Sequence, residues 1–150
     1  SSAFALHLVI ILPPSIATML QQYARDFNCL SDQDRKTRFS ILLDEIVIES
    51  WKSMQAMPHA DELELELATT IKEELADIHV EARRNLCEFL LPYEAALESR
   101  GITAKGMGEM LHHSIMGLKL STTTSEEIES ATATMLACLM AVTDAPATVQ

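Results

Sequence analysis

Glycine, aromatic residues and cysteine are all scarce in this 150-residue chain. It has only four glycines, all between Gly101 and Gly117, so the first hundred residues contain none. A phosphate-cradling glycine loop is therefore excluded from most of the chain. Few glycines and five prolines, together with a long 3.6-residue apolar periodicity, indicate helices joined by short connections. Because aromatics make up only 5% of the residues, aliphatic side chains and eight methionines must fill the core.

No targeting or membrane-spanning segment is expected from the sequence. The apolar run Ala3–Leu12 is shorter than the roughly 20 residues that cross a bilayer, and no basic residue precedes it as one would in a signal peptide. We expect it to be a buried segment. Cys29, Cys87 and Cys138 lie far apart without a C-x-x-C pair, which predicts free thiols in the reducing cytoplasm.

Basic residues are few. The 11 basic residues face 22 acidic ones, a formal net charge of −11. Nucleic-acid binding depends on Lys and Arg displacing counterions from phosphates. We therefore expect that this chain does not bind DNA by itself.

The sequence contains a series of amphipathic helices, predicted at 15–27, 31–57, 61–78, 81–100, 103–120 and 124–142. The positions predicted to face the core are, in the first helix, Ile16, Met19, Leu20, Tyr23 and Phe27, and in the second, Phe39, Leu42, Leu43, Ile46, Val47, Trp51 and Met54. Pro92 should end or kink the fourth helix near Leu91, and Gly101 is a typical left-handed C-terminal stop. Thr124 and Glu127 have the spacing of a capping box. The expected fold is all-α, a multi-helix bundle.

The last two predicted helices indicate a homodimer. Residues 131–142 are apolar nearly all the way round, so this helix should be buried on more than one side. Gly117 costs its helix about 1 kcal/mol relative to Ala, which favours close approach by another helix there. We expect a symmetric four-helix interface between two copies. The predicted interface residues are Met107, Leu111, Ser114, Ile115, Gly117, Leu118, Ile128, Met135, Leu136 and Leu139.

Catalytic and metal-binding motifs are weak. Glu109-x-x-His112 is the one match to a di-iron pattern that needs two such pairs. His112 and its neighbour His113 point about 100° apart on a helix, so one is expected in a pocket or interface and the other at the surface. No G-x-S-x-G nucleophile motif occurs. We predict no catalytic residue, metal or cofactor, while a helical metal-binding protein or metalloenzyme and a helical adaptor remain as alternatives.

A ligand pocket is the remaining candidate site. Adaptable apolar and aromatic side chains on three predicted helices are of the kind that line cavities of about 300–1,000 Å³. The predicted lining is Trp51, Met54, Met57, Phe89, Tyr93, Met110 and His113. Tyr93 and His113 would supply its polar contacts. The alternative is that these residues form ordinary core.

Three segments resemble the C-terminal half of TetR-family transcriptional regulators. Residues 101–142, GITAKGMGEMLHHSIMGLKLSTTTSEEIESATATMLACLMAV, are similar to the final helix pair, with the Gly117-Leu118 pair, a Thr/Ser-rich loop and an acid-capped last helix. SIATMLQQYARDF resembles the first helix after the DNA-binding domain, and EARRNLCEFLLPYEAALESRG the helix before the last pair.

The resemblance implies that the chain has two regions with different roles. Residues 15–150 would form a ligand-binding and dimerisation domain, and residues 1–14 a remnant or replacement of the DNA-binding region. A small apolar or aromatic effector would bind between the central helices and alter operator binding. A helix-turn-helix not present in this chain would contact the operator, and no membrane would be involved.

Overall fold

The computed structural model describes residues 11–56 and 76–146, and within these ranges the only regular secondary structure is helical. The predicted all-α fold is confirmed. The helices are α1 (Pro14–Asp26), α2 (Asp32–Leu43), a π-helical segment (Asp44–Glu49), α3 (Ser50–Gln55), α4 (Ala76–Leu90), a 3-10 turn (Leu91–Tyr93), α5 (Glu94–Glu98), α6 (Ala104–Ser121) and α7 (Ser125–Val142).

The helix starts follow from local sequence. Pro14 occupies the first position of α1, where its missing N–H costs nothing. The Ser31 hydroxyl caps α2 by accepting a hydrogen bond from the Asp34 amide. Thr103 and Thr124 cap α6 and α7 in the same way. The cap predicted at Thr124 is therefore confirmed.

The long second helix runs through α2, the π-helical segment and α3 without a break. All seven apolar positions predicted for its inner face are buried: Phe39, Leu42, Leu43, Ile46, Val47, Trp51 and Met54. The π-helical segment widens the turn at residues 44–49. Buried residues therefore continue across the segment and form one side of the core.

The interruption predicted at Pro92 is confirmed as the 3-10 turn between α4 and α5. Gly101 ends this region with a φ of 74°. The Ile102 amide donates to the Leu97 carbonyl and the Gly101 amide to the Glu98 carbonyl, both at 3.0 Å. This is the Schellman arrangement, and it requires the left-handed conformation that glycine adopts freely.

The helices pack around one core. α4 packs along α6, α7 packs on α2, and both α6 and α7 contact the π-helical segment. The Trp51 indole N–H donates to the Thr122 carbonyl at 3.0 Å, which ties α3 to the connection between α6 and α7. The last two helices are thus held on the bundle by the long second helix.

One expectation about α1 is wrong. Met19 and Phe27, predicted on the inner face of α1, are exposed, and Leu20 alone on that helix is buried. Within the chain, two helices approach closely at Gly108, where a Cβ atom would lie 2.7 Å from Cys87 Sγ. A Cβ atom at Gly117 would meet nothing within 4 Å, so the close approach expected there stays a prediction for a second copy. Most of the helix predicted at 61–78, and residues 1–10 of the proposed remnant, lie outside the described residues.

Candidate functional site

An open apolar groove of about 670 Å³ lies between α6 and α7 on the outside of the bundle. We call it the α6–α7 groove. Its lining residues are Met107, Met110, Leu111, Ser114, Gly117, Leu118, Ser121, Ala131, Thr134, Met135 and Cys138. None of these side chains is charged. Small residues along it leave room for a helix to approach closely.

Six of the ten predicted interface residues line this groove: Met107, Leu111, Ser114, Gly117, Leu118 and Met135. Three others do not belong to an exposed surface. Ile115, Ile128 and Leu139 are completely buried in the core of the single chain, because α6 and α7 turn these positions toward the helices beneath them. Their prediction as interface residues was wrong. Leu136 is partly buried against the same core.

The predicted ligand-binding residues do not converge on one pocket. Four of them, Trp51, Met54, Phe89 and Tyr93, are buried in the core. Met57 lies outside the described residues. Met110 is 53% exposed and lines the α6–α7 groove, and His113 is also exposed. Met110 and His113 therefore do not belong to an interior pocket, because α6 directs them to the outside.

Aromatic rings form the centre of the interior. The Phe39 ring centroid lies 5.1 Å from that of Tyr93 and 5.7 Å from that of Phe89, both in tilted geometry. The Tyr93 hydroxyl is buried without a hydrogen-bond partner in the described part of the chain. Burial raises the pKa of Tyr93 to about 12, against the lowering effect of the nearby Arg38. Tyr93 therefore keeps its proton at neutral pH and remains a donor.

Arg38 is a buried cation beside this cluster. Its side chain is 2% exposed, and its Cζ atom lies 3.8 Å from the centroid of the Phe89 ring. Nη1 donates to the Phe89 carbonyl at 2.7 Å, and Nε donates to the Leu20 carbonyl at 3.3 Å. Arg38 thus joins α1, α2 and α4. It also faces a cavity of about 100 Å³ between these helices.

A histidine cluster connects α4 and α6. His79 Nδ1 lies 3.3 Å from His112 Nε2, and the His112 and His113 rings are in edge contact. His112 is 2% exposed, and its Nδ1 has no partner among the described residues. Burial lowers the pKa of His112 to about 4, assisted by electrostatic repulsion between its protonated form and His79 and Arg83, and burial also lowers the pKa of His79. His112 is therefore neutral at pH 7, and which ring donates in the contact between His79 and His112 depends on their tautomers.

Metal ligation requires more than this pair. Within residues 11–56 and 76–146, no three or more His, Cys, Asp or Glu side chains are grouped so that they could hold an ion. The Glu109-x-x-His112 pair has its histidine directed at His79. The expectation of one buried and one exposed histidine at 112–113 is confirmed, with His112 as the buried one.

Two groups of buried polar residues were not predicted from the sequence. Arg35 and Arg38 are buried although charged, and their spacing from Phe39 and Leu42 places all four on one helical face. Similarly, Gly108, His112, Ile115 and Lys119 recur every three or four residues, which is the periodicity of the α6 face that packs on the bundle. In both cases the helical spacing indicates that these residues lie on the buried face. Their polarity led to the opposite expectation.

No helix in the described part of the chain is long and apolar enough to cross a membrane. The chain matches no protein-family model, no curated protein and no solved structure.

Proposed function

We propose that this chain is the effector-sensing and dimerisation domain of a TetR-like transcriptional regulator. The observation that carries the proposal is the α6–α7 groove, an apolar and uncharged surface on the two helices whose sequence resembles the final helix pair of that family. Operator binding is assigned to a helix-turn-helix outside this chain, in keeping with its acidic composition.

A second copy of the chain is the occupant that best fits the groove. The chain has a formal net charge of −11, so two copies repel each other over most of their surface. The groove is lined entirely by uncharged residues and offers a place where two copies can approach without that cost. Pairing there would bring two helices from each copy together in a symmetric four-helix interface.

Burial of the groove supplies the driving force. Met110 is exposed on α6 and lines the groove, and a Cβ atom added at Gly117, two turns further along, would meet nothing within 4 Å. Each Å² of apolar surface removed from water contributes about 25 cal/mol. The absence of a side chain at Gly117 allows a partner helix to come close enough for the flanking side chains to pack.

The sensing role rests on the interior of the same bundle. The Tyr93 hydroxyl and the Arg38 guanidinium are polar groups placed among apolar side chains, and a small cavity adjoins Arg38. An effector held there touches α1, α2 and α4, so its binding can shift α1 relative to the dimer. Differential affinity for two arrangements is what an allosteric effector requires.

Light scattering after size-exclusion chromatography tests the dimer. The 16.6 kDa chain is expected to elute as a species of twice that mass at micromolar concentration. Gly117→Leu should give a monomer with unchanged helical circular dichroism, because a Cβ atom at this position has open space within 4 Å in its own chain. A monomeric wild-type chain would overturn the proposal.

A matched pair of charge substitutions locates the interface. Thr134→Glu places a carboxylate in the groove, whereas Ser130→Glu places one an α-helical turn away at an exposed position that does not line it. Only Thr134→Glu should dissociate the dimer. Equal effects of the two substitutions would show that the groove is not where the copies meet.

A further inference from the structure

Arg38 is a buried positive charge without a carboxylate partner in the described residues. The ion pairs there join Arg35 to Asp32 and Asp144, Lys52 to Glu49, and Arg84 to Glu81. Both hydrogen-bond acceptors of Arg38 are neutral backbone carbonyls. A buried ion normally needs an opposite charge to offset its lost hydration. Stacking on Phe89 compensates only part of this loss.

Arg35 provides the comparison within the same helix. It lies one turn before Arg38 and is equally buried, but its Nη2 atom is 2.7 Å from Asp32 and 3.3 Å from Asp144. The fold therefore supplies anions for one of the two buried arginines. No described carboxylate pairs with Arg38, and a cavity lies beside its side chain instead.

The empty space is the cavity of about 100 Å³ that Arg38 lines together with residues of α1 and α4. Ala17, Leu20 and Phe89 make part of its wall apolar, and the side-chain amides of Gln21 and Asn85 add polar groups that can donate hydrogen bonds. The lining thus combines one guanidinium and two amide side chains, which are groups that recognise a planar anion, with the carboxylate of Glu88.

We infer that this cavity binds the carboxylate of a small apolar monocarboxylic acid, with Arg38 as its anion-binding residue. The inference rests on the proposed sensing function and names the chemical class of the effector. A cavity of about 150 Å³ holds benzene, so the space here suits a carboxylate with a short alkyl chain. The carboxylate supplies the negative charge that Arg38 lacks, and Ala17 and Leu20 contact the chain.

Charge around the cavity favours a monoanion over a phosphate. Glu88 also lines the cavity, and the chain as a whole carries a formal charge of −11. Both repel a dianion more than a monoanion. A carboxylate therefore satisfies Arg38 at the lower electrostatic cost.

Calorimetric titration with butyrate and with its neutral analogue butyramide tests the assignment. Wild-type protein is expected to bind butyrate at least tenfold more tightly than butyramide, because the amide brings no charge. Binding of neither compound, or equal binding of both, would overturn the inference. Tighter binding of inorganic phosphate than of butyrate would also overturn the choice of a carboxylate.

Substitutions at the two buried arginines identify the residue responsible. Arg38→Met should weaken butyrate binding at least tenfold and remove the preference over butyramide. Arg35→Lys is the matched control, since it alters a buried arginine of the same helix that already has its anions, and it should leave butyrate binding unchanged. Unchanged binding in Arg38→Met would contradict the inference.

Arg38 also ties α1 to α4, so its loss can unfold the chain. Ala17→Leu is the second variant, because it fills the cavity and leaves Arg38 and its carbonyl acceptors in place. Folded Ala17→Leu protein should bind butyrate at least tenfold more weakly than wild type, and retained binding would overturn the inference. The oligomeric state is measured separately: a dimer that ignores butyrate overturns this inference alone, and a monomer that binds butyrate overturns only the proposed function.

Discussion

Gly108 of α6 lies directly against Cys87 of α4. A Cβ atom at Gly108 would be 2.7 Å from Cys87 Sγ and 2.9 Å from the Cys87 backbone nitrogen. The Cys87 thiol in turn donates to the Lys105 carbonyl at 3.6 Å. The two helices therefore approach each other as closely as a residue without a side chain permits, at the most extensive contact between helices of the described residues.

Gly108→Ala should destabilise the chain by about 2 kcal/mol, because the new methyl group forces α6 away from the backbone of α4. Gly117→Ala is the control in the same helix. It meets nothing within its own chain and should raise the free energy of unfolding of the monomer by up to about 1 kcal/mol through helix propensity. Urea unfolding followed by circular dichroism measures both. A neutral Gly108→Ala would mean that α4 and α6 can separate freely.

Arg35→Met should lower the free energy of unfolding by about 3 kcal/mol. Arg35 Nη1 donates to the Met140 carbonyl at 2.7 Å and to Thr143 Oγ1 at 2.8 Å, so the side chain attaches the end of α7 to the start of α2. Asp144→Asn is the control, because Asp144 is 59% exposed and should cost less than about 1 kcal/mol. Urea midpoints of the two variants give the comparison. Equal losses would place the stabilisation in the exposed ion pair instead.

Acid should weaken the chain between about pH 6.5 and pH 4. The folded-state pKa of His112 is lowered to about 4 from its ordinary 6.5, so the unfolded chain binds more protons than the folded one in this window. Stability is therefore complete above pH 6.5 and falls as the pH falls. The charged groups facing His112 are His79, Arg83, His113 and Lys119, all of which repel its protonated form.

The expected loss from this histidine is on the order of 2 kcal/mol between pH 7 and pH 4.5. His112→Phe should reduce the pH dependence, since an uncharged ring then contacts His79. Urea unfolding at pH 7.0, 5.5 and 4.5 measures the effect, and His113→Phe, at an exposed position, is the matched control. Parallel pH profiles for wild type and His112→Phe would refute the assignment.

Cys138 should react slowly with a maleimide in the wild-type protein and at least tenfold faster in Gly117→Leu. The thiol lines the α6–α7 groove and is exposed among the described residues, so a second copy seated on the groove would cover it. Peptide mass spectrometry separates its labelling from that of the partly exposed Cys87. Equal rates in the two proteins would indicate that Cys138 stays open and that the groove is unoccupied.

Much of the fold followed from helical periodicity and from end signals. The buried side of the long second helix, from Phe39 to Met54, was correctly assigned because a 3.6-residue apolar stripe has one way to face a core. The Pro92 interruption and the Gly101 stop were assigned from backbone stereochemistry, which acts locally. The buried face of α1 was not correctly assigned. Met19 and Phe27 are apolar like Leu20, and only the packing of neighbouring helices decides which of them is covered.

The site was less accessible to prediction. Which of two adjacent histidines is buried depends on the rotation of α6 about its axis, and that rotation is set by the contact at Gly108. Ile115 and Met110 are both apolar, yet one is in the core and the other is on the surface. Arg38 is buried because backbone carbonyls of α1 and α4 accept its hydrogen bonds, and these are distant in sequence.

The hydrogen bond from Trp51 to the Thr122 carbonyl has an optical consequence. Trp51 is the single tryptophan of the chain, so all indole fluorescence arises at the junction between α3 and the turn that joins the last two helices. Detachment of that turn would expose the indole to water and shift its emission to longer wavelength. The native chain thus contains a built-in spectroscopic reporter of whether its final helix pair is seated.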